Sequence, residues 1–131
     1  MPFTIVRSTQ FFEFLGAIAG SSADGDTVRL SSALMQPIAA EDVAAAVTDV
    51  ALAAPANGTV EIAGPDAMPI DDLVRRYLAA IHDDRSVVTD DQAPYFGAVL
   101  SDKELIPAGA ARLGATDLGT WLDHTAAAPR H

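Results

Sequence analysis

The chain contains no cysteine. Disulfides and thiolate metal sites are therefore excluded, and packing and hydrogen bonds must hold the fold. Basic residues are scarce too: eight Lys and Arg stand against eighteen Asp and Glu, a formal charge of −10. That excess repels the phosphates of nucleic acid and anionic membrane surfaces, so neither is expected as a partner. Apolar runs are short and broken by alanine, too short to span a bilayer. The N-terminal stretch lacks the basic-then-apolar order of a secretion signal, which makes the cytoplasm the expected compartment. Glycine-rich phosphate loops are missing as well. "GSSADGD" (20–26) has neither G-x-G-x-x-G nor GK[ST] spacing and reads as a surface turn. His82, His124 and His131 form no H-x-x-x-H or H-E-x-x-H pattern.

What is present suits one domain. The 131 residues, half of them apolar, can build a single hydrophobic core. "FTIV" (3–6) is β-branched and aromatic and predicts a strand. Phe11, Phe12, Phe14, Leu15 and Ile18 then share a broad helical face, with Ser8 or Thr9 as the expected cap. Short strands are expected at "TVRL" (27–30) and "QPIA" (36–39). Glu41 and Asp42 open the next helix, where carboxylates complement the dipole. Val43, Val47, Val50 and Ala54 recur along it, and Pro55 closes it. "TVEIAG" (59–64) predicts a strand and "GPDAMP" (64–69) a turn. A third helix follows on Leu73, Val74, Tyr77, Leu78 and Ile81, then a strand at "SVVT" (86–89). Two short helical pieces are expected around 95–100 and 117–122. Strands separated by helices predict an α/β fold, or α+β for a fragment: a short, mainly parallel sheet with three main helices in one domain, residues 1–131.

Few residues carry chemistry. His82 ends a helix, where an imidazolium would meet the dipole favourably. "HDD" (82–84) and "TDD" (89–91) could bind a cation but read more simply as solvated turns. Tyr77, beside Arg75 and Arg76, falls on an apolar helix face and reads as core. Thr9, Gln10, Phe11, Phe12 and Phe14 stand apart. Two polar side chains and then aromatics, just past the end of a strand, lie where open α/β sheets place their ligand crevices. Core packing of the phenylalanines and capping by Thr9 is the competing reading.

Taken in order, "PFTIVRSTQFFEF", "QPIAAEDVAAAV" and "GTVEIAGPDAMPIDDLVRR" resemble the C-terminal half of NmrA-like, atypical short-chain dehydrogenase/reductases. In that family a P-[FY]-T-I-[LV]-R strand leads into a helix carrying aromatics. An I-x-x-x-DVA-x-AV helix follows, then a strand ending in Gly-Pro and a helix opening on an acidic-Leu step. The match runs from Pro2 to about Ile81. It implies a Rossmann-like fold and descent from an NAD(P)-dependent oxidoreductase. It also implies a substrate-binding role for Thr9, Gln10, Phe11, Phe12 and Phe14. The family's Gly-rich dinucleotide loop and its catalytic half have no counterpart here. No cofactor is therefore expected on this chain alone, and no catalytic residue is assigned. The alternative is a stand-alone, non-catalytic module for small-ligand binding or self-association. With no strand preceding the first one, a homodimer joined through that strand and the first helix is expected.

Overall fold

The computed structural model describes residues 3–55, 57–95, 105–107 and 109–127. The chain is mixed α/β. Strand β1 (Thr4–Ser8) leads through a 3-10 turn (Phe12–Phe14) into helix α1 (Leu15–Ser21). A hairpin of β2 (Ala23–Asp24) and β3 (Thr27–Leu30) turns at Gly25, whose φ of 62° suits glycine. Strand β4 (Leu34–Met35) precedes helix α2 (Ala40–Leu52). Then come β5 (Gly58–Ala63), β6 (Met68–Pro69), α3 (Ile70–Ala80), β7 (Ser86–Thr89), β8 (Arg112–Leu113) and α4 (Leu118–Ala127).

Among the described residues the strands form three small sheets rather than one. The order β1-β5-β8 is parallel throughout, with Val6 opposite Val60 and Ser8 opposite Ile62. Strand β3 pairs antiparallel with β2 and parallel with β7. Strands β4 and β6 make an antiparallel pair. Four α-helices stand among the described residues, one more than the three main helices expected.

Several expectations move. The first strand starts at Thr4 and carries Arg7 and Ser8. Ser8 belongs to that strand, and Thr9 caps nothing: the 3-10 turn begins at Phe12, and Phe11 before it gives no side-chain cap. The strand expected at 36–39 lies two residues earlier, at Leu34–Met35. Residues 36–39 stay extended but join a neighbour only at a single bridge, Phe11 to Ile38, because buried Pro37 has no N–H to offer a ladder. The "GPDAMP" turn holds β6 at its end. The helix expected at 95–100 falls outside the described residues apart from Tyr95. The piece expected at 117–122 is the start of α4, where Asp117 Oδ1 accepts the Thr120 N–H at 2.8 Å and so serves as the cap.

Two apolar clusters form the interior. The larger joins Phe12, Leu15 and Ile18 to Val28, Leu30, Met35, Leu73, Val74 and Leu78. An aromatic stack runs along it: Trp121 lies 5.4 Å from Phe12 and 5.9 Å from Tyr77, both near parallel. One ring of α4 thus bridges the 3-10 turn and α3. The smaller cluster, Ile38, Ala46 and Ile62 with Val6 and Val43, sits between α2 and the parallel sheet. Helix α2 is only loosely covered: Ala46 is its one buried residue among the described ones, and Val47 is 42 % exposed. Helix α3 ends in a Schellman motif. Asp83 N–H reaches the Leu78 carbonyl at 2.9 Å and His82 N–H the Ala79 carbonyl at 3.2 Å. His82 takes the left-handed position there, φ 57°, where glycine is usual.

Three carboxylates are held ionised by local donors. Asp117 is lowered chiefly by the Thr120 N–H, Asp91 chiefly by the Ser32 N–H, and Asp83 chiefly by the Arg85 guanidinium. A folded-state pKa below the unfolded value contributes stability above the unfolded value, and that stability is lost as pH falls through the folded one. The melting temperature should therefore hold from pH 7 to 5 and decline below about pH 4. In Asp117→Asn, which keeps the cap without the titration, the decline should be shallower. An identical acid slope for the variant would show that this cap does not contribute.

Candidate functional site

Past the C-terminal end of β1 the backbone is fixed from three directions. Thr9 N–H donates to the Ile62 carbonyl at 3.0 Å, and the Thr9 hydroxyl donates to the Gln36 carbonyl at 2.5 Å. The Gln10 carbonyl accepts the Ile38 N–H, and the Ile38 carbonyl accepts the Phe12 N–H, both at 2.9 Å. Gln36 in turn holds Gly64: its amide donates to the Gly64 carbonyl at 2.8 Å, and its carbonyl accepts the Gly64 N–H at 3.1 Å. Residues 36–38 therefore thread between the 9–12 segment and the end of β5.

This crossing leaves an open groove on its outer side. Thr9, Gln10, Phe11, Glu13 and Phe14 line a volume of about 350 Å³. Phe11 and Phe14 are 38 % and 39 % exposed and supply apolar wall. Phe12 does not line it: the same turn drives its ring into the core, at 2 % exposure against Trp121. Three aromatics in four residues thus split between two jobs, because the 3-10 turn points residues 11 and 14 away from residue 12. Of the five residues expected to form the site, Thr9, Gln10, Phe11 and Phe14 come together and Phe12 is excluded.

Polar groups in the groove differ in what they have left to offer. The Thr9 hydroxyl is committed to Gln36. Glu13 accepts the Ala40 N–H with both oxygens, at 3.2 and 3.4 Å. It caps α2 from 27 positions away and complements the dipole there. Gln10 Oε1 is buried and has no hydrogen-bond partner among the described residues. A buried amide oxygen left unpaired costs on the order of 1–3 kcal/mol.

A second polar cluster is structural. Asp71, 6 % exposed in the first turn of α3, accepts the Thr89 hydroxyl at 2.5 Å and the Asp72 N–H at 3.0 Å. Arg75 stands 3.7 Å away and donates to Thr89 and to the Val87 carbonyl. These contacts fasten α3 to β7. Of the "HDD" and "TDD" carboxylates, Asp83 is engaged with Arg85, Asp90 with the Gln92 N–H and Asp91 with the Ser32 N–H and hydroxyl. Among the described residues no group of three His, Asp or Glu is placed to hold a metal ion. No described helix is long and apolar enough to cross a membrane.

The chain is α/β, with an open groove at the carboxyl end of a parallel strand pair. No protein-family model matches the sequence, and no curated protein matches it.

Gln10 can be tested on stability alone. Gln10→Leu removes the unpaired acceptor while its main-chain bond to Ile38 remains. Denaturant unfolding should show unchanged stability or a gain of about 1 kcal/mol. A loss of that size would mean the amide already has a partner.

Proposed function

We propose that this chain is the substrate-binding part of an NAD(P)-dependent oxidoreductase of the NmrA-like, atypical short-chain dehydrogenase/reductase type, not catalytically competent alone. The observation that carries the reading is the groove: two exposed aromatic rings and an unpaired buried amide oxygen at the carboxyl end of β1. Its setting fits. Strands β1 and β5 are parallel, and α2, between them in sequence, packs on their sheet through Val43 and Ala46, the arrangement from which Rossmann-like folds are built. In this reading Phe11 and Phe14 bury the ligand's apolar body and Gln10 orients it through one donor.

The charged residue that lines the groove is Glu13, a carboxylate, which opposes a phosphate. In this reading NAD(P) belongs to a complementary half, and no step of hydride transfer is assigned to residues here. The second reading is a stand-alone binding or self-association module of the same fold. It is favoured by the place of β1 at the end of its sheet among the described residues.

An NMR titration with benzyl alcohol and benzamide, small aromatics that each carry one donor, tests the groove. Amide shifts should concentrate on Thr9 to Phe14, and Phe14→Ala should weaken binding by roughly tenfold, about 1.4 kcal/mol of lost apolar contact. Shifts spread over the surface, or unchanged binding in Phe14→Ala, would overturn the assignment.

A further inference from the structure

Of the residues that line the groove past β1, Glu13 carries the charge and none is basic. Its carboxylate is only partly used. The Ala40 N–H is shared between its two oxygens at 3.2 and 3.4 Å, whereas a carboxylate has about four acceptor sites. Among the described residues no Lys, Arg or His forms an ion pair with it. The first turn of α2 adds Glu41 and Asp42, which offset the positive end of the helix dipole there. Asp42 is engaged by the Thr116 N–H and hydroxyl, and Glu41 is exposed. The turn sets two rings beside the Glu13 charge. Phe14 N–H bonds the Phe11 carbonyl at 2.9 Å, and in a 3-10 turn side chains three residues apart lie over one another. Phe11 and Phe14 therefore share one side, at 38 % and 39 % exposure, with Glu13 between them in sequence. A ring face carries negative charge density and attracts a cation within about 6 Å. Carboxylate and rings favour the same sign of ligand charge, and the net charge of −10 extends that preference beyond contact distance.

We infer that the groove selects an organic cation: a primary ammonium carried next to an apolar or aromatic body. The inference rests on the reading of this groove as the ligand site, and it adds the charge of the ligand to that reading. The ammonium stands against the Glu13 carboxylate, donating an N–H to a lone pair that Ala40 leaves open. Its carbon body lies along the rings of Phe11 and Phe14. An anion of the same shape is repelled by the carboxylate, and a neutral ligand loses the charge-dependent part of the contact.

Benzylamine (protonated at neutral pH), benzyl alcohol and phenylacetate share a ring and differ in charge. In NMR titrations of the full chain, benzylamine should bind roughly tenfold tighter than benzyl alcohol, the combined size of an exposed ring–cation contact and an exposed ion pair. Phenylacetate should bind more weakly than either. Glu13→Gln keeps an acceptor for the Ala40 N–H and should erase the preference while benzyl alcohol binds as before. Glu41→Gln removes an equal charge from outside the groove and should keep the preference. Benzyl alcohol binding as tightly as benzylamine, a preference that survives Glu13→Gln, or one lost equally in Glu41→Gln would each overturn the inference. Shifts still centred on Thr9 to Phe14 would in those cases leave the groove standing as a site for neutral ligands. If none of the three compounds shifts those amides, the ligand-site reading fails and this inference fails with it.

Discussion

Gly64 lies hard against the Gln36–Pro37 peptide. A side-chain carbon on Gly64 would lie 1.6 Å from the Pro37 carbonyl oxygen. Only glycine lets the end of β5 come down onto this segment and exchange two hydrogen bonds with Gln36. Once that contact is made, residues 36–38 are held between β5 and the 9–12 segment. Thr9, Ile38 and Phe12 then find their main-chain partners together. The two apolar clusters meet on either side of this crossing, with Met35 in one and Ile38 in the other.

The open groove beside Phe11 and Phe14 is a consequence of that crossing. Fixing residues 9–12 from behind forces a tight 3-10 turn, and the turn sends Phe12 inward to Trp121 while Phe11 and Phe14 stay at the surface. The Thr9 hydroxyl serves the scaffold and Glu13 serves α2, which leaves Gln10 as the group with hydrogen-bonding capacity to spare. An unpaired buried acceptor beside exposed rings is a local cost that a bound donor would relieve. Rigid positioning from the rear and unused chemistry at the front are what a binding site on a scaffold requires.

The regular elements were legible where one local signal dominated. Helix α3 announces itself through Asp71, Asp72 and an apolar stripe, and β7 through the β-formers Val87, Val88 and Thr89; both stand where the pattern puts them. The crevice after β1 was legible from strand-end position and composition. Phe12 was not separable from Phe11 and Phe14, since an α-helical reading places all three on one broad face and the sequence gives no sign of a 3-10 turn. The role of Thr9 as a tie to Gln36 was hidden for a different reason: capping residues and long-range donors look alike locally. Glu13 capping α2 across 27 residues, and the splitting of one expected sheet into three, depend on tertiary contacts that no window of sequence contains. His82 in a left-handed cap departs from the usual glycine, and its place is set by the Schellman bonds rather than by residue preference.

If the Gly64 crossing anchors the fold, its amides should open last. Native-state hydrogen exchange measures this directly. The N–H groups of Phe12, Ile38 and Gly64 should exchange only through global unfolding, with opening free energies equal to the stability measured by denaturant. Amides of β2 and of the C-terminal turn of α2 should open sooner. Exchange of those three amides at a lower free energy than the interior of α3 would contradict the account, because the crossing would then be a late addition to a fold held together elsewhere.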